Sequence, residues 1–332
     1  MNVTLVTVTY GARSELLRTV LSACANQGVE KAIVVNNGSD PAAVAAAGQG
    51  LNIALDIVQM AGNTGSATGF AAGFDAALAK GAERILVLDD DNVPQPSALA
   101  ELQSRLSSLV TEVGKSDAIV LGFRPDHQAD VAEASTLARL IPHPDSFFGF
   151  CIQDIPRKLL KRTSFLRSFF RTPIQSSYRL ANAPYSGMLM HTDVLKKYGL
   201  PKREMVLYVD DTEFTHRITS QGGVIELVTT AHISDLEASW SVKQLHGSTF
   251  KAFLHGGNDF RAFYSSRNQS YFERHCRKHN KSMRAVNKFV YMFILKAMAL
   301  RDGKMDRYRL FANGIENGER GQLGVSAQFP LK

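Results

Sequence analysis

Along the first third of the chain, short apolar runs alternate with stretches of helical period. Val3 to Thr9 is a nearly unbroken aliphatic and β-branched run, the pattern of a buried strand. Glu15 to Ala25 reads as an amphipathic helix, Lys31 to Val35 as a second strand and Ile53 to Val58 as a third. Gly69 to Ala79 is a helix of small residues, Arg84 to Leu88 a fourth strand running into acids, Pro96 to Leu109 a helix, and Ala118 to Gly122 another strand. This alternation predicts an α/β fold, a mostly parallel sheet flanked by helices, with its ligand beyond the carboxyl ends of the strands.

The regularity fails from about Arg124 to Ala181, where Pro125, Pro142, Pro144, Pro156 and Pro173 interrupt aromatic and basic stretches, so an insertion is expected there. Order returns with a strand at Ser186 to His191, helices at Asp193 to Tyr198 and Asp211 to Ser220, and a strand at Val224 to Val228. From Asp259 onward the pattern is helical, and Lys288 to Leu300 is its most apolar part. Four segments follow: 1–122, an irregular basic insertion at 123–181, 182–257, and a C-terminal helical region at 258–332.

Composition narrows the class. With 332 residues, 45% of them hydrophobic, the chain can bury a large core. Cys24, Cys151 and Cys276 are an odd number, far apart and without a CxxC, which supports neither a disulfide framework nor a zinc cluster and fits a reducing cytoplasm. The amino terminus lacks the basic and apolar regions of a signal peptide. The longest apolar run, Phe289 to Leu300, is broken by Lys296 and is too short to span a bilayer. A soluble or peripheral protein is therefore expected. The net charge of +7 favours anionic partners: nucleotide diphosphates, anionic lipid or nucleic acid.

The chemistry concentrates in acids. Asp89-Asp90-Asp91 follows the apolar Ile85-Leu86-Val87-Leu88, so the carboxylates emerge where a buried strand reaches the rim of the sheet. On an extended chain Asp89 and Asp91 share one side, a spacing that lets them hold one hard cation; a solvated acidic turn is the competing reading. Asp210-Asp211-Thr212-Glu213 opens a helix, where acids commonly cap and complement the dipole. A carboxylate there would also serve as the base for an attacking hydroxyl. His232, read as a strand end, could complete a divalent site. Gly62-Asn63-Thr64-Gly65 leads into a helix whose Gly65, Gly69 and Gly73 share one face, permitting close approach of a ligand or a strand. Neither a Walker loop nor a dinucleotide fingerprint is present.

Taken in order, Val6-Thr7-Val8-Thr9-Tyr10, Val34-Val35-Asn36-Asn37-Gly38-Ser39, Gly62-Asn63-Thr64-Gly65 and Asp89-Asp90-Asp91 resemble family 2 glycosyltransferases of the GT-A (Rossmann-like) fold. Asp210-Asp211-Thr212-Glu213-Phe214, Arg217, His232, Trp240, Tyr264 and Arg267-Asn268 resemble the galactofuranosyl- and rhamnosyltransferase branch. The resemblance spans roughly residues 3–122 and 182–270. It implies that 1–122 binds a nucleotide sugar and 182–257 binds acceptor and carries catalysis. Thr9, Tyr10, Asn36, Asn37, Asn63 and Gly65 would line the nucleotide site, with Asn36 standing where many relatives carry Asp. Asp89, Asp91 and His232 would hold Mn²⁺ or Mg²⁺, Asp90 would contact sugar or ribose, and Asp211 would be the general base of an inverting transfer. Glu213 and Trp240 would shape the acceptor pocket, and Arg267 would brace the diphosphate or the acids.

The implied donor is a UDP-sugar, UDP-galactofuranose on the strength of the triple Asp, with dTDP-rhamnose as the competitor. The implied acceptor is a hydroxyl of a glycan or lipid-linked glycan in cell-surface polysaccharide synthesis. Nucleic acid is not an expected partner. Ile155 to Pro173 interleaves cations with Leu159, Leu160, Phe165, Leu166, Phe169 and Phe170, which suits either a helix on the inner face of an anionic membrane or a basic helix packed on the domain. Phe289 to Leu300 suits helix packing or a homo-oligomer contact. Two other classes fit the residues less well. A non-catalytic basic lipid- or nucleic-acid-binding protein would explain the charge but leaves the acids merely structural, and a nucleotidyltransferase would need a richer loop than Gly11-Ala12-Arg13.

Overall fold

The computed structural model describes residues 2–125, 127–128, 131, 141, 143–162, 172–237 and 249–331. In chain order its strands and α-helices are β1 (Val3–Thr9), α1 (Ser14–Ala25), β2 (Lys31–Asn36), α2 (Pro41–Ala47), β3 (Ala54–Gln59), α3 (Ser66–Ala79), β4 (Arg84–Val87), β5 (Asn92–Pro94), α4 (Ala98–Val113), β6 (Ala118–Phe123), α5 (Ile155–Arg162), β7 (Ser177–Leu180), β8 (Met188–His191), α6 (Thr192–Tyr198), α7 (Asp210–Ser220), β9 (Val224–Asp235), α8 (Thr249–His255), α9 (Asp259–Tyr271), α10 (Lys281–Arg301) and α11 (Met305–Glu319). The chain divides into two units: residues 1–124, 175–238 and 330–332 form the first, and residues 125–174 and 239–329 the second.

The first unit is an α/β layer structure around one sheet of order β3-β2-β1-β4-β8-β6-β9-β5, with β7 also paired to β9. The four strands β3, β2, β1 and β4 are parallel, as are β6 and β9. Strands β5, β7 and β8 run against them. The sheet is therefore mixed but mostly parallel, as the βαβ pattern predicts; the strands that run the other way, β5, β7 and β8, lie outside the regular alternation.

The period of two on β1 explains how helices cover both faces. Val3 and Leu5 join the core with Leu17 and Leu21 of α1 and Leu102, Leu106 and Leu109 of α4. On the other face, Val6 and Val8 meet α3 at Gly73 and Gly69, where an added Cβ would come within 2.7 and 2.8 Å of their methyl groups. The small-residue face predicted for this helix thus serves close packing on a strand. Beyond it, Phe70 and Phe74 pack against Tyr185 and Phe214, with ring centroids 4.4 to 6.2 Å apart.

The opposed strand directions gather one rim. The carboxyl ends of β1, β4, β6 and β9 and the amino ends of β5 and β8 share an edge of the sheet, and every rim residue described below issues from it.

The second unit is mainly helical among its described residues. Phe147, Leu254, Tyr291, Leu295, Ala299, Phe311 and Ile315 form its core. Helix α11 lies against α9 at Gly314 and Gly318, where a Cβ would collide with Ser266 Oγ and the Arg267 carbonyl; four-residue spacing puts both glycines on one face. No helix among the described residues is long and apolar enough to cross a membrane.

Candidate active site

The acids at the end of β4 lie in a turn. The strand stops at Val87, and the Asn92 N–H donates to the Asp89 carbonyl at 3.2 Å. The strand alternation expected to align Asp89 with Asp91 therefore does not operate; the turn sets their positions instead. Each acid has its own partner. Thr9 Oγ1, at the end of β1, donates to Asp90 Oδ2 at 2.7 Å. Arg13, just before α1, places Nη1 3.0 Å from Asp90 Oδ1 and Nη2 3.1 Å from Asp91 Oδ2, and also pairs with Glu237. Three carboxylates converge on one guanidinium.

Behind the turn runs a buried polar network. The Asp89 N–H donates to Ser186 Oγ at 3.3 Å, Ser186 Oγ donates to Asn92 Oδ1, and Asn92 Nδ2 donates to Asp235 Oδ1 at 2.7 Å. Arg124, one residue past β6, donates to the same Asp235 oxygen. Five strand ends are thereby tied together, through Ser186, Asn92 and Arg124, which are buried, and Asp89 and Asp235, which are half-buried.

Asp211 reaches this rim from α7. Removal from solvent pushes Asp89 up to about 7; Arg124 opposes the shift, and Asp91, Asp90 and Asp211 reinforce it. Burial raises Asp211 as well, against the Thr212 N–H and hydroxyl and the Arg124 guanidinium. The acidic turn and the start of α7, some 120 residues apart in sequence, therefore share one electrostatic environment. Asp211 Oδ1 accepts from the Thr212 N–H at 2.6 Å, the dipole-favoured place for an anion. Its neighbour Asp210 faces inward, where burial first and Asp211 second raise it to about 8, and it accepts from Ser66 at the start of α3 at 3.3 Å. Asp90 is raised to about 6 by burial, held back by Arg13 and Thr9.

The chain enters α7 through strained backbone: Val206, Tyr208 and Val209 have φ of 69°, 64° and 66°, the left-handed region that non-glycine residues seldom adopt. Gly65 supports this loop. Its φ of +82° and its contact with the Val206 carbonyl leave no room for a Cβ, and the Ala67 N–H donates to that carbonyl at 3.1 Å. Gly65→Ala is accordingly expected to lower stability by about 3 kcal/mol and to reduce transfer, read as a fall in the thermal midpoint; an unchanged midpoint would remove this strut from the account.

The asparagines expected to line a nucleotide are engaged in holding loops together. Asn36 is fully buried; its Oδ1 accepts from the Ser39 N–H at 2.7 Å and its Nδ2 donates to Gln59 Oε1 at 2.9 Å. Asn37 Oδ1 accepts from Thr64 N–H and Oγ1 at 2.9 and 2.7 Å, clamping the loop after β2 to the one before α3. Asn63 accepts from the Gly65 N–H at 3.1 Å. Tyr10, by contrast, is 45% exposed beside them.

The sequence profile of the glycosyltransferase-like family 2 matches residues 1–255. The chain belongs to that family. It is a glycosyltransferase with the α/β architecture of the GT-A fold and a C-terminal helical extension. Among solved structures, GalNAc-T7 with UDP, GalNAc and Mn²⁺ is similar at 13% identity and a TM-score of 0.47 over 71% of this chain, which spans only 44% of that protein. S. aureus TarS 1–349 is similar at 12% identity and a TM-score of 0.46, covering 97% of this chain and 92% of that one. The same TarS portion in complex with UDP-GlcNAc gives 12% and 0.43 over 97% and 93%. No protein of curated function matches the sequence.

Other residues expected at the transferase site stand as follows. Strand β9 continues to Asp235, so His232 lies within a strand rather than at its end; it is exposed, with its ring 5.5 Å from Phe123. Among the described residues no three His, Cys, Asp or Glu side chains form a metal-ligating group. Glu213 is 2% exposed and pairs with Arg217 and Lys202, each at 3.3 Å, which fixes the packing of α7. Trp240 lies outside the described residues. Arg267 belongs to the helical unit, where burial lowers it to about 10; it donates to Asn268 Oδ1 at 2.9 Å and to the Gly324 carbonyl and stacks over Tyr264. The Tyr264 hydroxyl donates to the Phe329 carbonyl at 2.9 Å, so this pair anchors the C-terminal segment of its unit.

Arg13, Arg124, Asn92, Ser186 and Asp235 were not singled out from the sequence. Arg124 carried a signal: it directly follows a buried strand, the same rule that drew attention to Asp89.

The rim suits a divalent cation on its own chemistry. Asp89 and Asp91 are hard oxygen donors; burial raises Asp89 first, and the further push from neighbouring Asp91, Asp90 and Asp211 is of the kind that positive charge relieves.

Proposed function

We propose that this transferase moves galactofuranose from UDP-galactofuranose to a hydroxyl of a glycan or lipid-linked glycan with inversion at the anomeric carbon. One observation carries the reading: the charge of Asp211 at the amino end of α7 reaches Asp89 in the rim turn and raises its proton affinity, which supports a base and a cation-binding acid serving one site. The triple Asp supports galactofuranose over a deoxyhexose.

In this scheme Asp89 and Asp91 hold Mn²⁺ or Mg²⁺, which when bound supplies positive charge to the leaving diphosphate. Thr9 and Arg13 fix Asp90 so that it presents to the sugar or ribose. Arg13 sits among three carboxylates and is placed to exchange one of them for a phosphate oxygen, a charge-assisted contact of the same kind. Asp211 accepts the proton of the acceptor hydroxyl as that oxygen attacks. Arg124, by lowering the proton affinity of Asp211, keeps more of it ionised and ready. Tyr10 offers an exposed ring for the base, while Asn36 and Asn37 shape the loops around it.

The test is donor hydrolysis and transfer across a panel of nucleotide sugars with Mn²⁺. UDP-galactofuranose is expected to turn over fastest. Preference for dTDP-rhamnose would replace the donor and keep the chemistry; hydrolysis of none would remove the reading.

A further inference from the structure

Helix α10 is apolar on two sides. Tyr291, Leu295 and Ala299 face the core of the helical unit, as an amphipathic helix should. The opposite stripe should then be polar, yet it carries Val286, Phe289, Phe293 and Leu300, exposed to 48, 72, 65 and 62%, with Lys296 exposed among them. Spacings of three, four and seven keep these residues on one line, and the rings of Phe289 and Phe293 stack with centroids 6.5 Å apart.

A second exposed apolar set lies on α5. Ile155, Leu159 and Leu160 are 40, 57 and 37% exposed on a helix that contains Arg157, Lys158, Lys161 and Arg162 and no acid. The chain leading into α5 is fixed on α10: the Ile152 N–H donates to Asn287 Oδ1 at 3.0 Å, and Phe150 packs on Tyr291.

Charge decides what these faces meet. Residues 125–174 and 239–329 contain 23 Lys and Arg against 11 Asp and Glu, a net of +12, whereas the other unit, with 15 against 20, carries −5. The chain's modest overall charge conceals this separation. A second copy docked through the same face would set two such basic units against each other, at a cost that grows as salt falls. An anionic bilayer does the reverse: it attracts the cations and receives the aromatic and aliphatic side chains.

We propose that the helical unit seats the protein on an anionic membrane surface, with Phe289 and Phe293 of α10 and Leu159 of α5 entering the lipid and the surrounding Lys and Arg engaging the headgroups. The proposal does not depend on which donor is used, so its failure leaves the transferase reading intact.

The full chain is floated with vesicles of phosphatidylcholine alone and of phosphatidylcholine mixed with phosphatidylglycerol, at low and high salt. Co-flotation is expected only with the anionic vesicles and is weakened by salt. The double substitution Phe289→Ser/Phe293→Ser is expected to lower bound protein by about tenfold, with donor hydrolysis in solution unchanged. Lys158→Glu/Lys296→Glu tests the electrostatic half with both rings intact and is expected to remove the preference for phosphatidylglycerol. No flotation at low salt overturns the proposal. So does flotation that both double variants leave untouched, or a sedimentation dimer that Phe289→Ser/Phe293→Ser dissociates while vesicle binding persists.

Discussion

Asp211→Asn is expected to lower turnover by about 10³-fold, the scale of a lost general base, and to leave affinity for the nucleotide sugar within a few-fold. The amide keeps the shape and the hydrogen bond from the Thr212 N–H but cannot take a proton. The wild-type pH profile carries the same signature. A base must be ionised to act, and burial raises Asp211 above the ordinary carboxylate range; kcat therefore falls as pH drops through that raised value, earlier than for a free aspartate. Near-normal turnover in the variant would exclude Asp211 from the proton transfer, and a profile flat down to pH of about 4 would show that no raised carboxylate is involved.

Arg124→Met has the second largest effect, and it separates two roles. Asp235 loses its buried guanidinium partner, which costs on the order of 3 kcal/mol of stability. Beyond that, Asp211 and Asp89 both lose a charge that lowers their proton affinity, so the acid limb of the activity profile moves to higher pH. A purely structural Arg124 would reduce the amount of folded protein without moving the limb. Arg124→Lys, which keeps the charge but not the fork, is expected to restore most of the limb position and only part of the stability.

The architecture was readable where local and long-range preferences agree. Strands β1 to β4 and helices α1, α3 and α4 follow apolar periodicity closely, and the rule that ligands gather at strand carboxyl ends led directly to Asp89-Asp90-Asp91. Elements escaped where tertiary pairing alone creates them. Strand β5 is three residues long and exists through its ladder with β9. Strand β9 runs on through Thr229 and Thr230, whose polarity suggested an end although their β-branching favours a strand. Helix α2 lacks a clear apolar stripe, but Asp40 caps it by accepting from the Ala42 N–H, with Pro41 in the first turn, and that start signal was legible.

At the site, residue identity was easier to read than residue work. Asn36 and Asn37 stand out in sequence, yet their amides are consumed in holding loops together. Arg13 attracts no notice as a single cation, and Arg124 is marked only by directly following a buried strand; the folded rim reveals that each faces several carboxylates. The left-handed backbone at Val206, Tyr208 and Val209 could not be foreseen, since nothing about these residue types favours it.

The account rests on an acidic rim that takes a nucleoside diphosphate together with a divalent cation. Calorimetric titration of UDP into the full chain, with Mn²⁺ and with the cation chelated, measures this coupling directly. We expect affinity at least about tenfold higher with Mn²⁺, a coupling of about 1.4 kcal/mol or more, and loss of that gain in Asp91→Ala. Equal affinity under both conditions, or a gain that survives Asp91→Ala, would contradict the assignment of the rim turn as the place where cation and diphosphate meet.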